Sequence, residues 1–253
     1  AWPGHQNWFL GSFSSDTAQI IDMSDLSSTL IISQDPRVNS FEGVTAVSDD
    51  NGDLLFYSNG RSVFKGIGSN VVETYDGLLS GNEGIFNFSS AVQGVITVRH
   101  PLSSYENHVF TTNDALSADS TSGLDYTTFD NYGYLLYYPA KLGNSPVTEG
   151  IAATLHNNGV DIWITVMSID GYFHAYLLTA NGLDLSKSNL NQTGGFVVSG
   201  DDLRGGLAFS HDGSKFALCK PAVWPNSIYG VTTYDFNNST GEISNKKGIA
   251  PDD

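Results

Sequence analysis

The sequence predicts an all-β fold, a β-propeller built from four-stranded blades. Four short apolar segments each begin with a glycine, at Gly43, Gly94, Gly150 and Gly206, and these glycines are 51, 56 and 56 residues apart. A fixed period of about 40–55 residues with strand-rich content is typical of a bladed ring. Asn-Gly or Asp-Gly pairs also recur between apolar segments in three of the four periods, as expected for tight β-hairpins.

Each period contains an inner strand, a central hairpin and an outer strand. In the unit that begins at Gly43, we predict strands at 43–48, 54–58 and 62–64, with a turn at 49–53 and an Asn-Gly pair after the second strand. The apolar residues in these segments alternate or run continuously over four to six positions, as strand residues do. The unit therefore supplies the strands of one blade.

The last two units repeat this plan. We predict strands at 161–166 and 172–178 in one of them, and at 215–219 and 228–236 in the other. The turns before or between these strands contain Asn158-Gly159, Asp170-Gly171 and Asp212-Gly213, which favour the left-handed backbone of tight turns. The hairpins of these units are thus predicted at equivalent positions of the ring.

The unit that begins at Gly94 is less regular. Its predicted strands, 109–112 and 126–129, flank a long polar loop at 113–124. A second irregular segment, 65–88, is rich in glycine and shows no strand alternation, so we expect it to cross between blades. Long irregular loops in compact domains are often functional, and both are candidate ligand-binding segments.

The repeat predicts one propeller domain over residues 1–253, with blades starting near 43, 94, 150 and 206. Four full repeats are visible, and the segment before them supplies a leading fragment. A closed ring of six or seven blades with this period needs roughly 300–370 residues. We therefore expect an incomplete six- or seven-bladed ring whose C-terminus is truncated within a repeat.

The charge balance excludes some classes of ligand. The chain has 11 Lys and Arg residues against 27 Asp and Glu residues, for a net charge of −16. Binding to nucleic acid needs clustered cations, so we expect no nucleic-acid partner. No run of 18 or more apolar residues occurs, and we expect no membrane span.

The single cysteine, Cys219, follows the apolar residues Phe216, Ala217 and Leu218. A cysteine in such a run is expected to be a small buried hydrophobic residue of a strand. It has no second cysteine with which to form an internal disulfide. The cysteine content leaves the redox compartment open, because secreted proteins need disulfides mainly when they are small.

One acidic loop could hold calcium. Asp49, Asn51 and Asp53 alternate in a tight turn and offer oxygen ligands, which Ca²⁺ prefers. The glycine position and the missing downstream glutamate depart from the EF-hand pattern, and a hairpin turn also explains the loop. We predict no other cofactor.

Weak ligand-binding candidates lie on loops. Asn113, Asp114 and Asp119 belong to the long polar loop, and Trp224 precedes a proline. An exposed tryptophan at a turn can stack on a sugar ring. The alternative for the loop is a solvated insertion without function.

The sequence contains no clear catalytic set. Glu42 and Glu149 precede equivalent inner strands, so they would lie at corresponding ends of two blades near the channel, where a carboxylate pair could serve a glycosidase. The alternative for both glutamates is a structural role, in which the Glu-Gly turn caps the inner strand. The six histidines show no metal-binding pattern, and consecutive residues such as Ser210, His211 and Asp212 cannot form a triad.

Several segments resemble a known family. Trp8-Phe-Leu-Gly, residues 42–60, Val63-Phe64, residues 210–217 and residues 234–244 are similar to the N-terminal propeller region of large secreted proteins of Bacteroidota. Those proteins carry C-terminal sorting domains for gliding motility or type IX secretion, and the blade pattern is loosely like that of WD40 and TolB propellers. The resemblance implies an extracellular or cell-surface location, although no sorting domain lies within these 253 residues.

These observations lead to one main functional hypothesis and two alternatives. The main hypothesis is a non-catalytic extracellular module for binding, adhesion or assembly on a bacterial surface, with a glycan, a surface protein or sister subunits as partner. The first alternative is a polysaccharide-active hydrolase or lyase that uses the propeller channel. The second is a structural subunit of a filament or virion. On the main hypothesis the protein is not an enzyme.

Overall fold

The computed structural model describes residues 7–10, 18–22, 29–33, 38, 40, 43–67, 70–78, 91, 93–112, 123–143, 146–191, 204–220 and 230–249. Within these residues the regular structure is all β, with 19 strands in five antiparallel sheets. The described residues include no helix long and apolar enough to cross a membrane.

Each sheet forms one blade, and its strands follow chain order from one edge to the other. The described strands of blade 1 are β1 (Asn7–Leu10), β2 (Ala18–Asp22) and β3 (Thr29–Ser33). Blade 2 contains β4 (Thr45–Ser48), β5 (Leu54–Ser58), β6 (Ser62–Lys65) and β7 (Val72–Asp76). Blade 3 contains β8 (Val95–Arg99), β9 (Glu106–Thr112), β10 (Leu124–Asp130) and β11 (Leu135–Leu142). Blade 4 contains β12 (Val147–Leu155), β13 (Ile162–Ser168), β14 (Phe173–Thr179) and β15 (Gly182–Asn191). Blade 5 contains β16 (Gly206–Phe209), β17 (Lys215–Lys220), β18 (Gly230–Asn237) and β19 (Glu242–Ile249).

The first strands of successive blades lie side by side. β1 is close to β4, β4 to β8, β8 to β12 and β12 to β16. These inner strands surround an axis, as propeller blades do. The predicted all-β propeller with four-stranded blades is confirmed, and the ring is not closed within the described residues.

The core lies between the faces of adjacent blades. Between blades 4 and 5, the ring of Phe173 lies 5.0 Å from that of Phe216 and 5.1 Å from that of Tyr234, both edge-on. Between blades 2 and 3, Phe56 and Phe129 are fully buried with their rings 6.2 Å apart. Such aromatic pairs add to the stabilisation that comes from burying apolar area.

The repeated glycines have a packing reason. A Cβ on Gly43 would lie 2.5 Å from the backbone nitrogen of Gly94, and a Cβ on Gly150 would lie 2.5 Å from the carbonyl oxygen of Gly205. Backbone atoms at this distance cannot rotate away as the end of a flexible side chain can. At Gly43 and Gly150 the inner strand therefore approaches the next blade so closely that only glycine fits.

Two expectations from the sequence are wrong. Cys219 is exposed, not buried. Its neighbour Leu218 faces blade 4, and strand alternation turns Cys219 to the opposite face with Ala208 and Ala217. The segment 65–88, predicted to have no strand, contains β7, the outer strand of blade 2.

Candidate functional site

The glycine-led end of the inner strands gathers polar side chains from three blades. Gln93, Glu149 and Arg204 lie at the start of the inner strands of blades 3, 4 and 5. The amide of Gln93 accepts a hydrogen bond from the Leu207 N–H at 2.7 Å and donates one to the Leu207 carbonyl at 3.1 Å. Gln93 thus reaches past blade 4 to blade 5. We call Gln93, Thr112, Glu149 and Arg204 the axial group.

Thr112 connects the axial group to blade 3. Its backbone N–H donates to the Gly94 carbonyl at 2.9 Å, and its hydroxyl donates to the Glu149 carbonyl at 3.4 Å. Glu149 lies in β12 and is fully buried, whereas Arg204 is exposed. The axial group therefore combines a buried carboxylate, an amide and an accessible guanidinium.

A second buried carboxylate, Asp125, lies on another face. Asp125 is 1% exposed and pairs in register with Thr111. The Thr111 hydroxyl donates to the Leu78 carbonyl of blade 2, so this face of blade 3 points away from blade 4. Glu149 and Asp125 therefore belong to different inter-blade layers. The structure does not describe Glu42, the other glutamate that the sequence singled out.

At the opposite end of the blades, the residue after each inner strand shapes the hairpin turn. Its side chain accepts backbone N–H groups of that turn in all four glycine-led blades, although the residue type changes. The residues are Asp49 in blade 2, His100 in blade 3, His156 in blade 4 and Ser210 in blade 5. This role is therefore part of the repeat.

Asp49 fills this role within the predicted calcium loop. Its Oδ1 atom accepts the N–H groups of Asn51 at 2.8 Å and Asp53 at 2.9 Å. Burial alone would raise the pKa of Asp49, but these backbone hydrogen bonds outweigh it and lower the pKa. The geometry supports the hairpin-turn interpretation, and calcium at Asp49, Asn51 and Asp53 stays a prediction.

Blade 3 also carries a histidine cluster, which we define as His100, Glu106 and His108. One nitrogen or carboxylate oxygen from each lies within 4.8 Å of the others. The His100 N–H donates to the Glu106 carbonyl at 2.9 Å, so the two residues face each other across the β8–β9 hairpin. Glu106 and His108 are two residues apart on β9 and share its face.

The environment of His108 keeps its ring neutral. Burial, followed by the nearby His100 ring, lowers the pKa of His108 to about 3. Its Nδ1 atom lies 3.0 Å from the Tyr126 hydroxyl and 3.2 Å from the Thr128 hydroxyl. Its Nε2 atom is buried and has no hydrogen-bond partner among the described residues.

Sequence reasoning singled out Glu149 of the axial group and missed the histidine cluster. No adjacent histidine pattern marks the cluster, and the predicted strand 109–112 did not include Glu106 and His108, which lie in β9. Gln93 had no signal beyond its position before a repeat glycine. The predicted ligand residues Asn113, Asp114, Asp119 and Trp224 lie outside the described residues.

Comparisons with known proteins establish the fold. No protein-family model matches the chain, and no curated protein gives a match. Among solved structures, it is similar to a periplasmic gluconolactonase of Pseudomonas aeruginosa, with a TM-score of 0.56, 12% identity, and coverage of 97% of this chain and 67% of that one. It also resembles the Dos1 propeller (TM-score 0.47, 10% identity, 96% and 56% coverage). A third similar structure is a Phanerochaete chrysosporium exo-β-1,3-galactanase with galactose (TM-score 0.42, 12% identity, 98% and 50% coverage).

The expectation that the chain is not an enzyme needs correction. The gluconolactonase shares its fold and is an enzyme, so neither the propeller nor the missing sequence motif supports a non-catalytic role. At 12% identity the likeness itself establishes the fold alone. The association with Bacteroidota secretion remains a resemblance of sequence segments.

Proposed function

We propose that this protein is a hydrolase that acts on a sugar lactone or sugar ester at the axial group. The observation that carries the proposal is the Gln93–Leu207 contact, which joins blades 3 and 5 at the end of the inner strands where β12 carries the buried Glu149. Ligand sites in folds of this kind lie on loops that a rigid scaffold positions. The gluconolactonase supports the proposal only by showing that the fold is compatible with such chemistry.

The residue types suit ester hydrolysis better than glycoside cleavage. Glycosidases of the common type need two carboxylates across the scissile bond, whereas the two buried ones described above lie in different layers. Ester hydrolysis needs one general base and groups that stabilise an oxyanion. Glu149 is the base in this proposal, and Arg204 and the Gln93 amide stabilise the oxyanion.

The proposed reaction conserves atoms and charge. Glu149 takes a proton from water as the water oxygen bonds to the carbonyl carbon. The negative charge that develops on the carbonyl oxygen is stabilised by Arg204. The carbon–oxygen bond of the ester then breaks, and the departing oxygen takes the proton from Glu149. A lactone gives one hydroxy acid, and an ester gives an alcohol and a separate carboxylic acid. The acid then releases its proton to solvent, and the guanidinium of Arg204 attracts the resulting carboxylate.

Turnover assays on variants test this proposal. We expect the purified protein to hydrolyse gluconolactone or a sugar ester above the uncatalysed rate, measured by acid release at constant pH. Glu149→Gln should lower kcat by about 100-fold or more, the scale of a lost general base. Glu242→Gln, which changes an exposed glutamate of β19, is the matched control and should keep full activity.

A second variant protects the test against misfolding. Arg204 is exposed, so Arg204→Gln should keep the melting temperature while lowering kcat by about 100-fold, as removal of an oxyanion-stabilising group does. The proposal is wrong if the wild-type protein gives only the uncatalysed rate with lactones and esters. It is also wrong if folded Glu149→Gln and Arg204→Gln both retain wild-type kcat.

A further inference from the structure

We propose that the histidine cluster of blade 3 is a binding site for a divalent transition-metal ion of the zinc type. His100, Glu106 and His108 supply two imidazole nitrogens and one carboxylate. Two histidines and one glutamate form a known zinc ligand set that leaves a fourth position for water. The site lies at the opposite end of blade 3 from the axial group, so it is independent of the proposed hydrolase function.

The hairpin brings the three ligands together before any ion binds. Backbone pairing places His100 opposite Glu106, and strand alternation places Glu106 and His108 on one face. The rings of His100 and His108 lie 5.2 Å apart between centroids. A tetrahedral ion with bonds of about 2.0–2.2 Å holds its ligand atoms about 3.4 Å apart. The ligand atoms of the cluster lie within 4.8 Å of one another, so side-chain rotations that move each atom by about 1 Å complete the site.

His108 provides the observation that points to a ligand. Its side chain is 2% exposed, and its Nε2 atom lacks a hydrogen-bond partner within the part of the chain that the structure describes. A buried polar atom without a partner costs free energy. A metal ion bonded to Nε2 would remove this cost.

The other ring nitrogen of His108 is held as a metal ligand requires. Metal-bound histidines generally donate their second ring N–H to an oxygen atom, which fixes the tautomer and the ring orientation. Thr128 and Tyr126 place hydroxyl oxygens 3.2 Å and 3.0 Å from Nδ1. Because hydroxyls both donate and accept, they can accept the Nδ1–H of the tautomer that leaves the Nε2 lone pair for an ion.

His100 sets the strength of the site. Its Nδ1 atom accepts the N–H groups of Leu102 at 3.2 Å and Ser103 at 3.1 Å, so the neutral ring carries its proton on Nε2. For Nε2 of His100 to bind an ion, the ring proton must move from Nε2 to Nδ1. Nδ1 then no longer accepts the turn N–H groups, which bond to water instead. Leu102 is exposed and Ser103 is half-buried, so the loss of these two hydrogen bonds costs part of the binding free energy. We therefore expect micromolar affinity rather than the tightest zinc binding.

The residue types also select the ion. Imidazole nitrogens favour zinc, nickel, copper and cobalt over calcium and magnesium, which prefer oxygen ligands. Glu106 contributes a negative charge, and the net charge of −16 attracts cations in general. The selective element is therefore the pair of histidines.

Blade 4 offers a matched control for the test. His156 occupies the same turn position as His100, and its Nδ1 atom accepts the Asn158 N–H at 3.0 Å. The position equivalent to His108 is Trp163, whose ring lies 6.0 Å from that of His156. A histidine at this turn without a second imidazole should not bind zinc.

The experiment is a titration of the untagged, chelator-treated protein with ZnCl₂ by calorimetry. We expect one zinc per chain in the wild type, affinity at least about tenfold weaker in His100→Gln and in Glu106→Gln, and unchanged affinity in His156→Gln. Cobalt should replace zinc and give the visible absorption of a tetrahedral site, which reports on the wild type without any substitution.

Three outcomes would overturn the assignment. They are the absence of zinc binding by the wild type, wild-type affinity in both His100→Gln and Glu106→Gln, and equal weakening in His156→Gln. Circular dichroism checks that each variant is folded. A six-coordinate cobalt spectrum would also contradict the proposed ligand set, because it indicates an ion held mainly by water.

Discussion

Blades 3 and 4 use the same hairpin for different chemistry. In both blades, a histidine follows the inner strand and lies opposite an acidic residue at or just before the start of the second strand. The histidine ring lies near the ring of the residue two positions after that acidic residue. In blade 4 that ring belongs to Trp163, whose Nε1–H donates to the Asn238 carbonyl of blade 5 at 2.8 Å. In blade 3 it belongs to His108, whose buried Nε2 lacks a partner within the described residues.

The difference shows how a repeat acquires a site. The turn and the strand register place an acidic residue opposite the histidine in both blades, Glu106 in blade 3 and Asp161 in blade 4. The next residue on the same face of the second strand differs in chemistry, His108 in blade 3 and Trp163 in blade 4. The Trp163 indole stabilises the contact with the next blade, whereas the His108 imidazole leaves a nitrogen available. The scaffold therefore fixes geometry, and single residues decide chemistry.

The largest expected effect concerns Trp163, which has a structural role where blade 3 has His108. Trp163→Ala removes a fully packed ring, 2% exposed, and its hydrogen bond to blade 5. We expect the free energy of unfolding to fall by about 3–5 kcal/mol, measured by urea denaturation. A loss below about 1 kcal/mol would show that blades 4 and 5 do not depend on this contact.

Zinc should stabilise blade 3 and not blade 4. At a zinc concentration of 100 times Kd, binding to the folded state alone raises the free energy of unfolding by about 2.7 kcal/mol. At the same zinc concentration a tenfold weaker affinity leaves about 1.4 kcal/mol, so Glu106→Gln should lose about half of this gain or more. Asp161→Asn should preserve the full gain, as read by thermal unfolding with and without zinc. Equal gains in the two variants would remove the proposed difference between the blades.

The smallest expected effect concerns the glycine-led end that the blades share. In Gly150→Ala, the new Cβ would meet the Gly205 carbonyl oxygen at 2.5 Å and the Leu207 side chain at 3.1 Å. We expect a loss of about 1–3 kcal/mol from this overpacking. Gly230→Ala is the control, because no atom of the described residues lies within 4 Å of a Cβ at that position. Equal stability of the two variants would contradict the close approach of the inner strands.

The architecture was predictable because its cause recurs in the sequence. The inner strands of blades 2 and 4 meet the next blade at a glycine, so Gly43 and Gly150 mark the period directly. Turn residues such as Asp49 mark the hairpins, because the hairpin turn also recurs in each of these blades. The face of a short strand is harder to assign, and Cys219 was placed on the wrong one because its apolar run does not alternate.

The candidate sites were not predictable from local pattern. His100 and His108 meet only after β8 pairs with β9 in one register, and a shift by one residue would turn His108 to the other face. Gln93 reaches Leu207 across 114 positions of the chain. Contacts at that separation depend on the arrangement of the blades around the axis, which no short motif encodes.

The most direct test of the contrast between the two blades is X-ray diffraction from zinc-soaked crystals, with anomalous scattering used to locate the ion. We predict one anomalous peak about 2.0–2.1 Å from Nε2 of His108, between His100 and Glu106, and none beside His156. A peak beside His156, or no peak at the histidine cluster, would contradict the account.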